Sequence, residues 1–514
     1  MPDAASFRAA TLVQVRSNKI VAIIAVLTAG MVALAGCGRE AQNPQPVPEA
    51  SDTLPEASDF ATMLQQRVTA DAMMGHLRAL QDIADAHDGN RAAGSPGYDA
   101  SIDYIAGALR DKGFDVQTPE FTFKVFDAKP GSVRQGDRSF EASALEFTPG
   151  TPGVTAPLVP ARVDDSPGCT RQDYDGLPVE GAVVLVDRGR CPFAEKAGVA
   201  AGLGAVALVV ANNVDGKATD ATLGENSDIK IPVVSVSKAD GAQLRGGTGD
   251  VTVTVDAGTR EVTSRNVIAQ TKTGSTQDVV MVGAHLDSVP EGPGINDNGS
   301  GSAAILETAL QLGSSPDVRN AVRFGFWGAE EIGLVGSQRY IESLNEDQLR
   351  DIALYMNFDM LGSPNPGYFT YDGDQSSFIG RDQAPPRVPE GSAGIERTLT
   401  EYLDRAGKPA QDTSFNGRSD YDAFTLAGIP AGGLFSGAEE KMTDEQAQLW
   451  GGEAGASFDP NYHKPGDNID NIDETSLGIQ GAGVGYSVGL YAQDLTGRNG
   501  MPIRDDRTRH EIAP

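Results

Sequence analysis

Between residues 278 and 359 the chain contains three nearly unbroken apolar runs, and each stops on ionisable side chains. VVMVGAHLD ends on His285 and Asp287, AVRFGFWGAEE on Glu330 and Glu331, and IALYMNFD on Asp359. Apolar runs without polar alternation are strands buried on both faces, so the sheet they form must be covered by helices on either side. The intervening sequence supplies those helices. Segments 299–312, 333–344, 392–406 and 473–493 read as helices, and 278–284, 321–327, 352–358 and 430–434 as strands. The alternation predicts an α/β fold with a mostly parallel central sheet and helices on both faces. In such a sheet, side chains beyond the carboxyl ends of neighbouring strands converge on one crevice.

The rest of the chain divides around this unit. From about Phe60 the pattern is helical; in 97–112, Ile102, Ile105, Ala106 and Leu109 form one apolar face, and 115–126 alternates as a strand does. From 130 to 258 the texture changes to short Val-rich runs (182–187, 205–211, 231–236, 251–256) separated by Gly, Pro and Asp. Residues 130–258 therefore read as a small β-rich domain inserted between the two parts, 59–129 and 259–497, of a larger one. Residues 498–514 are polar and read as a frayed C-terminal tail.

The N-terminus is a targeting segment. Arg8, Arg16 and Lys19 precede an apolar run from Ile20 to Leu34, which is short for a membrane span and ends in Leu34-Ala35-Gly36-Cys37. The run alone is also compatible with an uncleaved anchor; either way the chain is exported. The final tetrapeptide resembles the lipobox of bacterial lipoproteins. That resemblance makes 1–37 a signal peptide, Cys37 the lipidated residue and a membrane its partner, with the protein held in the cell envelope. Residues 38–58 are rich in Pro, Ala and Glu and read as a disordered linker. Export permits disulfides. Of three cysteines only Cys169 and Cys191 remain, both inside the insert, and they are expected to pair. A formal net charge of -30 argues against nucleic acid as a partner.

The chemistry lies in the residues beyond the strand ends. His285 and Asp287, two apart on an extended strand, can face one way, which suits a carboxylate fixing the tautomer of a ligating imidazole. Asp297 opens GINDNGSGSAA before a helix, and His463 sits in FDPNYHKPGDN. Singly, each has a bland reading: an acid before a glycine-rich helix is commonly a cap, and paired glutamates a solvated helix start. Together, two histidines with Asp297, Glu331 and Asp359 form the inventory of a site for two metal ions, most naturally zinc. Glu330 is then left over and is placed to act as a general base.

These segments, with GNRAAGSPGYDASIDYI, NFDMLGSPNPGYF, GRSDYDAF and QLWGGEAGASFDPNYH, resemble family-28 zinc metallopeptidases, in particular secreted bacterial leucine aminopeptidases. GAVVLVDRGRCPFAEKAGVAAGLGAVALVVANN and IPVVSVSKADGAQL resemble the protease-associated (PA) domain. The resemblance implies two zinc ions, His285 and Asp359 on one, Glu331 and His463 on the other, and Asp297 bridging. It makes Glu330 the base, Tyr462 an oxyanion stabiliser and Arg418 a neighbour of the substrate's amino end. It also implies a cis peptide at Asp297-Asn298. The expected substrates are peptides with a free N-terminus. Met360 and Phe435 suggest a large hydrophobic first residue, and a monomer is expected. Asn461 and Gly466 stand where many relatives carry a disulfide beside the Tyr-His pair, and Tyr421 stands where some carry a histidine. Another amide hydrolase or acyltransferase on the same scaffold, or an inactive binding protein, remains open from the residues; loss of ligands would mark the last.

Overall fold

The computed structural model describes residues 55–163, 167–216, 218, 221–377, 388–497 and 500–512. The expected signal peptide with Cys37, and most of the expected linker, lie outside them.

The centre of the molecule is an eight-stranded sheet in the order Asp115–Gln117, Val267–Gln270, Asn320–Trp327, Ser275–His285, Ile352–Phe358, Ala431–Phe435, Phe369–Tyr371 and Gln411–Thr413. The strands from Asn320–Trp327 to Ala431–Phe435 are parallel to their neighbours. Antiparallel pairing is confined to the flanks, so the sheet is mixed, with a parallel heart. Along the His285 strand the period is two. Val280, Val282 and Ala284 enter the larger core, whereas Val279 and Met281 enter the opposite one. Both sides are covered, which is why the strand reads as continuous apolar sequence. On one side pack the helices Ala70–Ala86, Pro96–Asp111, Gly301–Leu312, Ser392–Arg405 and Glu474–Gln493. On the other lie Val335–Glu342, Glu346–Asp351 and Tyr421–Leu426, where Tyr355 and Phe424 stack at 3.6 Å.

Two expectations about the ends need correction. A helix, Pro55–Arg67, begins inside the stretch read as linker. Its buried side includes Ala57 and Ala61, and it lies so close to Glu474–Gln493 that a Cβ on Gly489 would stand 2.8 Å from the Ala61 Cα. A face built on alanine against glycine leaves little apolar period to read. The C-terminal residues 500–512 are not frayed. Arg507 and Arg509 are buried: Arg507 donates to Asp278 Oδ1 (2.6 Å), and Arg509 to the carbonyls of Gly428 (2.6 Å) and Ile352 (2.9 Å).

The insert is a closed seven-stranded barrel running from Gly131–Gln135 to Asp250–Val255. Its interior is filled by Val133, Val183, Leu185, Val209, Val234, Val251 and Val253. Cys169 and Cys191 form a disulfide on it (S–S 2.09 Å). The barrel is carried by a two-stranded antiparallel ribbon, Glu120–Ala128 against Ala257–Arg265. No helix among the described residues is long and apolar enough to cross a membrane.

Candidate metal centre

His285 is the last residue of its strand and is almost fully buried. Its Nδ1 lies 3.1 Å from the main-chain carbonyl of Asp287, which leaves Nε2 turned into the crevice. There Nε2 stands 3.2 Å from Asp297 Oδ1 and 3.3 Å from Asp359 Oδ1. The sequence suggested the Asp287 carboxylate as the imidazole's partner, but that carboxylate stands 3.7 Å away. It accepts the backbone N–H of Glu330 instead (3.2 Å). Asp287 thus ties the Glu330 loop to the His285 strand.

Asp297 lies on the turn leading into Gly301–Leu312, and its peptide bond to Asn298 is cis. Its second oxygen, Oδ2, lies 3.3 Å from His463 Nε2, and Glu331 Oε2 lies 2.9 Å from the same nitrogen. One carboxylate therefore presents one oxygen to each histidine. Two groups of potential ligands result, His285–Asp297–Asp359 and Asp297–Glu331–His463, sharing Asp297.

Glu330 and Glu331 would diverge on a straight strand. Ala329, at φ 58, turns the chain so that both enter the crevice, with Glu330 Oε2 4.0 Å from His285 Nε2. Met360 and His463 also hold positive φ, 55 and 54. Non-glycine residues in that region are uncommon and persist where the surroundings fix them; here three frame one site.

The surrounding shell is polar and buried. Ser419 donates to Asp359 Oδ2 (2.5 Å). Arg91 donates to the carbonyls of Leu286, Pro293 (2.9 Å) and Gly294 (2.5 Å), fixing the loop between His285 and Asp297. The loop carrying His463 lacks a disulfide, yet it is firmly tied. Asp467 accepts the N–H groups of Asn296 (2.8 Å) and Asp297 (3.0 Å). Asn471 donates to Asp459 and Asp467 (3.2 Å to the latter), and Asn461 donates to Asn471 (2.7 Å). Asn461, a departure from the resembling family, is thus part of the tether. None of Arg91, Asp459, Asp467, Asn471 and Ser419 stood out in the sequence. None has a local pattern that marks it, and the available hint was that four of the five lie in GNRAAGSP, FDPNYHKPGDN or GRSD.

The electrostatics fit cations. Burial, then the Asp297 charge, pushes the Glu331 carboxyl up to about 7 against the pull of His463. Burial also raises Glu330, with Asp359, Asp420 and Glu331 adding to it and His285 opposing. For Asp297, burial is outweighed by bonding to His285 and His463, which holds it well below the usual range. Glu331 Oε1, Asp359 Oδ1 and Asp287 Oδ2 are buried with no hydrogen-bond partner. Orphaned carboxylate oxygens beside two imidazoles are what a divalent ion would satisfy, and His/Asp/Glu donors are those zinc takes.

A cavity of about 360 Å³ opens beside the two groups. Met360 and Phe435 line it, joined by Phe369, Tyr371 and Phe458. Tyr462 and Arg418 stand at its edge. The Tyr462 ring stacks on His463 (3.8 Å), and Arg418 reaches the Tyr462 hydroxyl (3.3 Å) and Glu439 (3.0 Å). Tyr421, where some relatives have histidine, is buried and also lines this cavity, its hydroxyl donating to Asn416 (2.9 Å).

A mixed α/β sheet whose parallel strands deliver two histidine–carboxylate groups to one crevice defines a metallohydrolase. Residues 266–488 match peptidase family M28 and residues 154–244 match the PA domain. The chain is 62% identical over 500 residues to a "Probable lipoprotein aminopeptidase LpqL" of Mycobacterium tuberculosis, covering 97% of this chain and 99% of that one. It is 39% identical to leucine aminopeptidase 2 of Arthroderma otae, over 88% and 89% of the two chains. The fold is similar to that of an aminopeptidase from Aneurinibacillus sp. strain AM-1 (TM-score 0.66, 28% identity, 86% and 98% covered). The protein belongs to peptidase family M28 and carries an inserted PA domain.

Proposed function

We propose that this chain is an exported, lipid-anchored aminopeptidase that uses two zinc ions to release the N-terminal residue of peptides. The observation that carries the reading is Asp297, whose two oxygens face His285 and His463 at 3.2 and 3.3 Å while Asp359 and Glu331 complete the two groups. The similarity to the lipoprotein aminopeptidase of M. tuberculosis supports both the activity and the anchor at Cys37. Bound zinc would supply Lewis acidity towards the scissile carbonyl and towards a water.

The protein's own groups do the rest. Glu330, buried and not needed by either group, takes a proton from the attacking water and returns it to the leaving amine. Burial, followed by the charges of Asp297 and Glu331, raises the Tyr462 phenol, so it stays protonated and can donate to the developing oxyanion. Asp359 and Arg418 face the region for the substrate's amino end. Met360, Phe435, Phe369, Tyr371 and Phe458 offer apolar walls to a large hydrophobic first side chain.

Hydrolysis of leucyl nitroanilide, with its N-acetylated form as control, tests the activity. Glu330→Gln should keep both zinc ions and lose about 10²–10⁴-fold in rate, the usual contribution of a positioned base. Glu331→Ala should lose one zinc and activity with it. Metal analysis showing the reverse would exchange the two roles, and unchanged hydrolysis in both would place the active site elsewhere.

A further inference from the structure

The ribbon that carries the barrel re-enters the catalytic domain at a single residue. Its return strand ends at Arg265, and the central sheet resumes at Val267. Between them lies Asn266, buried, with an exposure of 2%. Its side chain is spent entirely on one loop. Oδ1 accepts the N–H of Gly328 (3.1 Å), and Nδ2 donates to the carbonyl of Gly336 (2.8 Å). Gly336 N–H in turn donates to Gly328 O (2.9 Å), so the two ends of the loop 328–336 are closed on each other and held by one amide. That loop carries Glu330 and Glu331. It closes tightly: a Cβ on Gly336 would stand 2.4 Å from both Asn266 Oδ1 and Gly328 O.

A second contact acts on the same loop. Phe121, Phe123 and Val262, at the base of the ribbon, form a small apolar cluster with Ala329, the residue whose positive φ turns both glutamates inward. Val335, near the other end of the loop, packs against this cluster.

We infer that Asn266 is a positioning residue for the catalytic pair. It fixes the loop 328–336 so that Glu330 and Glu331 point into the crevice together, and it does so from the junction through which the inserted barrel is joined to the sheet. This inference rests on the roles proposed for Glu330 and Glu331. A side chain with both of its polar ends bonded to one loop fixes that loop's position, and a shift of about 1 Å in a reacting group can cost 10²-fold in rate. Groups that orient metal ligands typically change metal affinity by about 10–100-fold when removed.

The test uses Asn266→Ala in the full zinc-loaded chain, with Asn320→Ala beside it. Asn320 is another buried asparagine, the first residue of a central strand, and its amide donates to the Tyr491 carbonyl (2.8 Å), away from the loop. Both variants should lose thermal stability to a similar extent. Only Asn266→Ala should lower kcat on leucyl nitroanilide, by about 10²-fold with KM little changed. It should also give up one zinc ion at about 10–100-fold lower chelator concentration, keeping the other. If Asn266→Ala matched Asn320→Ala in kcat and in metal retention, the inference would be overturned. Glu330→Gln and Glu331→Ala run in parallel: if they leave rate and metal untouched, the reading of the site itself has failed. If they behave as proposed, a null Asn266→Ala result counts against Asn266 alone. Should Asn266→Ala not fold, hydrogen exchange on the unaltered protein decides. The Gly328 amide should exchange as slowly as those of the central strands, and fast exchange would overturn the clamp.

Discussion

Two clusters of acidic side chains lie close to this sheet, and only one has the marks of a metal site. Asp297, Glu331 and Asp359 gather with two histidines in the crevice. Asp372, Asp374 and Glu396 gather beyond the strand Phe369–Tyr371 with comparable spacing. The difference is in what each carboxylate already holds. In the second cluster Asp372 accepts the N–H groups of Ser376 (2.9 Å) and Ser377 (3.2 Å) and the Ser377 hydroxyl (2.6 Å). Asp374 accepts Ser376 N–H (2.8 Å), and Glu396 accepts Asp374 N–H (2.9 Å). These acids are consumed in shaping a turn. In the first cluster Glu331 Oε1 and Asp359 Oδ1 are left buried and unbonded; Asp359 Oδ1 faces His285 Nε2, and Glu331 turns its other oxygen to His463. Proximity of carboxylates is common to both; unspent lone pairs and a soft nitrogen distinguish the site.

The contrast breaks hardest at Asp297. Asp297→Ala should remove the shared member of both groups, leaving two-ligand remnants unable to hold zinc. Metal analysis should find neither ion bound, and hydrolysis of leucyl nitroanilide should fall to background. Retention of both ions would mean that Asp297 does not bridge. A smaller effect is expected one bond further out, at Asp467. Asp467→Asn keeps the shape but turns an N–H donor towards either Asn296 N–H or Asp297 N–H, both of which need an acceptor. Loosening Asp297 this way should weaken zinc by about 10–100-fold, as removal of such supporting partners usually does. Competition with a chelator measures it; an unchanged midpoint would show that the His463 loop is held some other way.

How far the sequence carried follows the same division. The four parallel strands were legible because a strand buried on both faces writes itself as an apolar run, and the ionisable residues at the ends of three of them were legible because they interrupt it. Phe369–Tyr371 and Gln411–Thr413, three residues each, are too short to have a period. The supporting residues were hidden for another reason. Arg91, Asn266 and Asp467 act on segments up to about 200 positions away in the chain, and a lone polar residue in a loop has no local pattern that says what it will meet. Asn461 shows the limit of analogy as well: read as a missing half of a disulfide, it left the loop without a visible tether, whereas the fold makes it one member of a buried amide–carboxylate network. Two adjacent glutamates can share one crevice only if the chain turns before them, and Ala329 makes that turn.

The smallest effect sharpens the comparison from the side of the second cluster. Burial, followed by the charges of Asp374, Asp412 and Asp372 and opposed by the Asp374 N–H, pushes the Glu396 carboxyl up to about 7 from 4.5. For an acid, a folded value above the unfolded one means that the folded state holds the proton more tightly. Ionisation then costs stability, and the cost is absent at low pH, grows between about 4.5 and 7, and is complete above that. Glu396→Gln keeps an oxygen for Asp374 N–H and abolishes the charge. It should raise the melting temperature by on the order of 1–2 °C at pH 8.5, with a clearly smaller gain at pH 5.5. The same acid-to-amide change costs metal affinity at Asp467, because there both oxygens accept backbone N–H groups. Thermal unfolding at the two pH values decides it. A gain independent of pH would show that Glu396 is not crowded by its neighbours, and a loss at pH 8.5 would show that its charge is being used by something other than the turn.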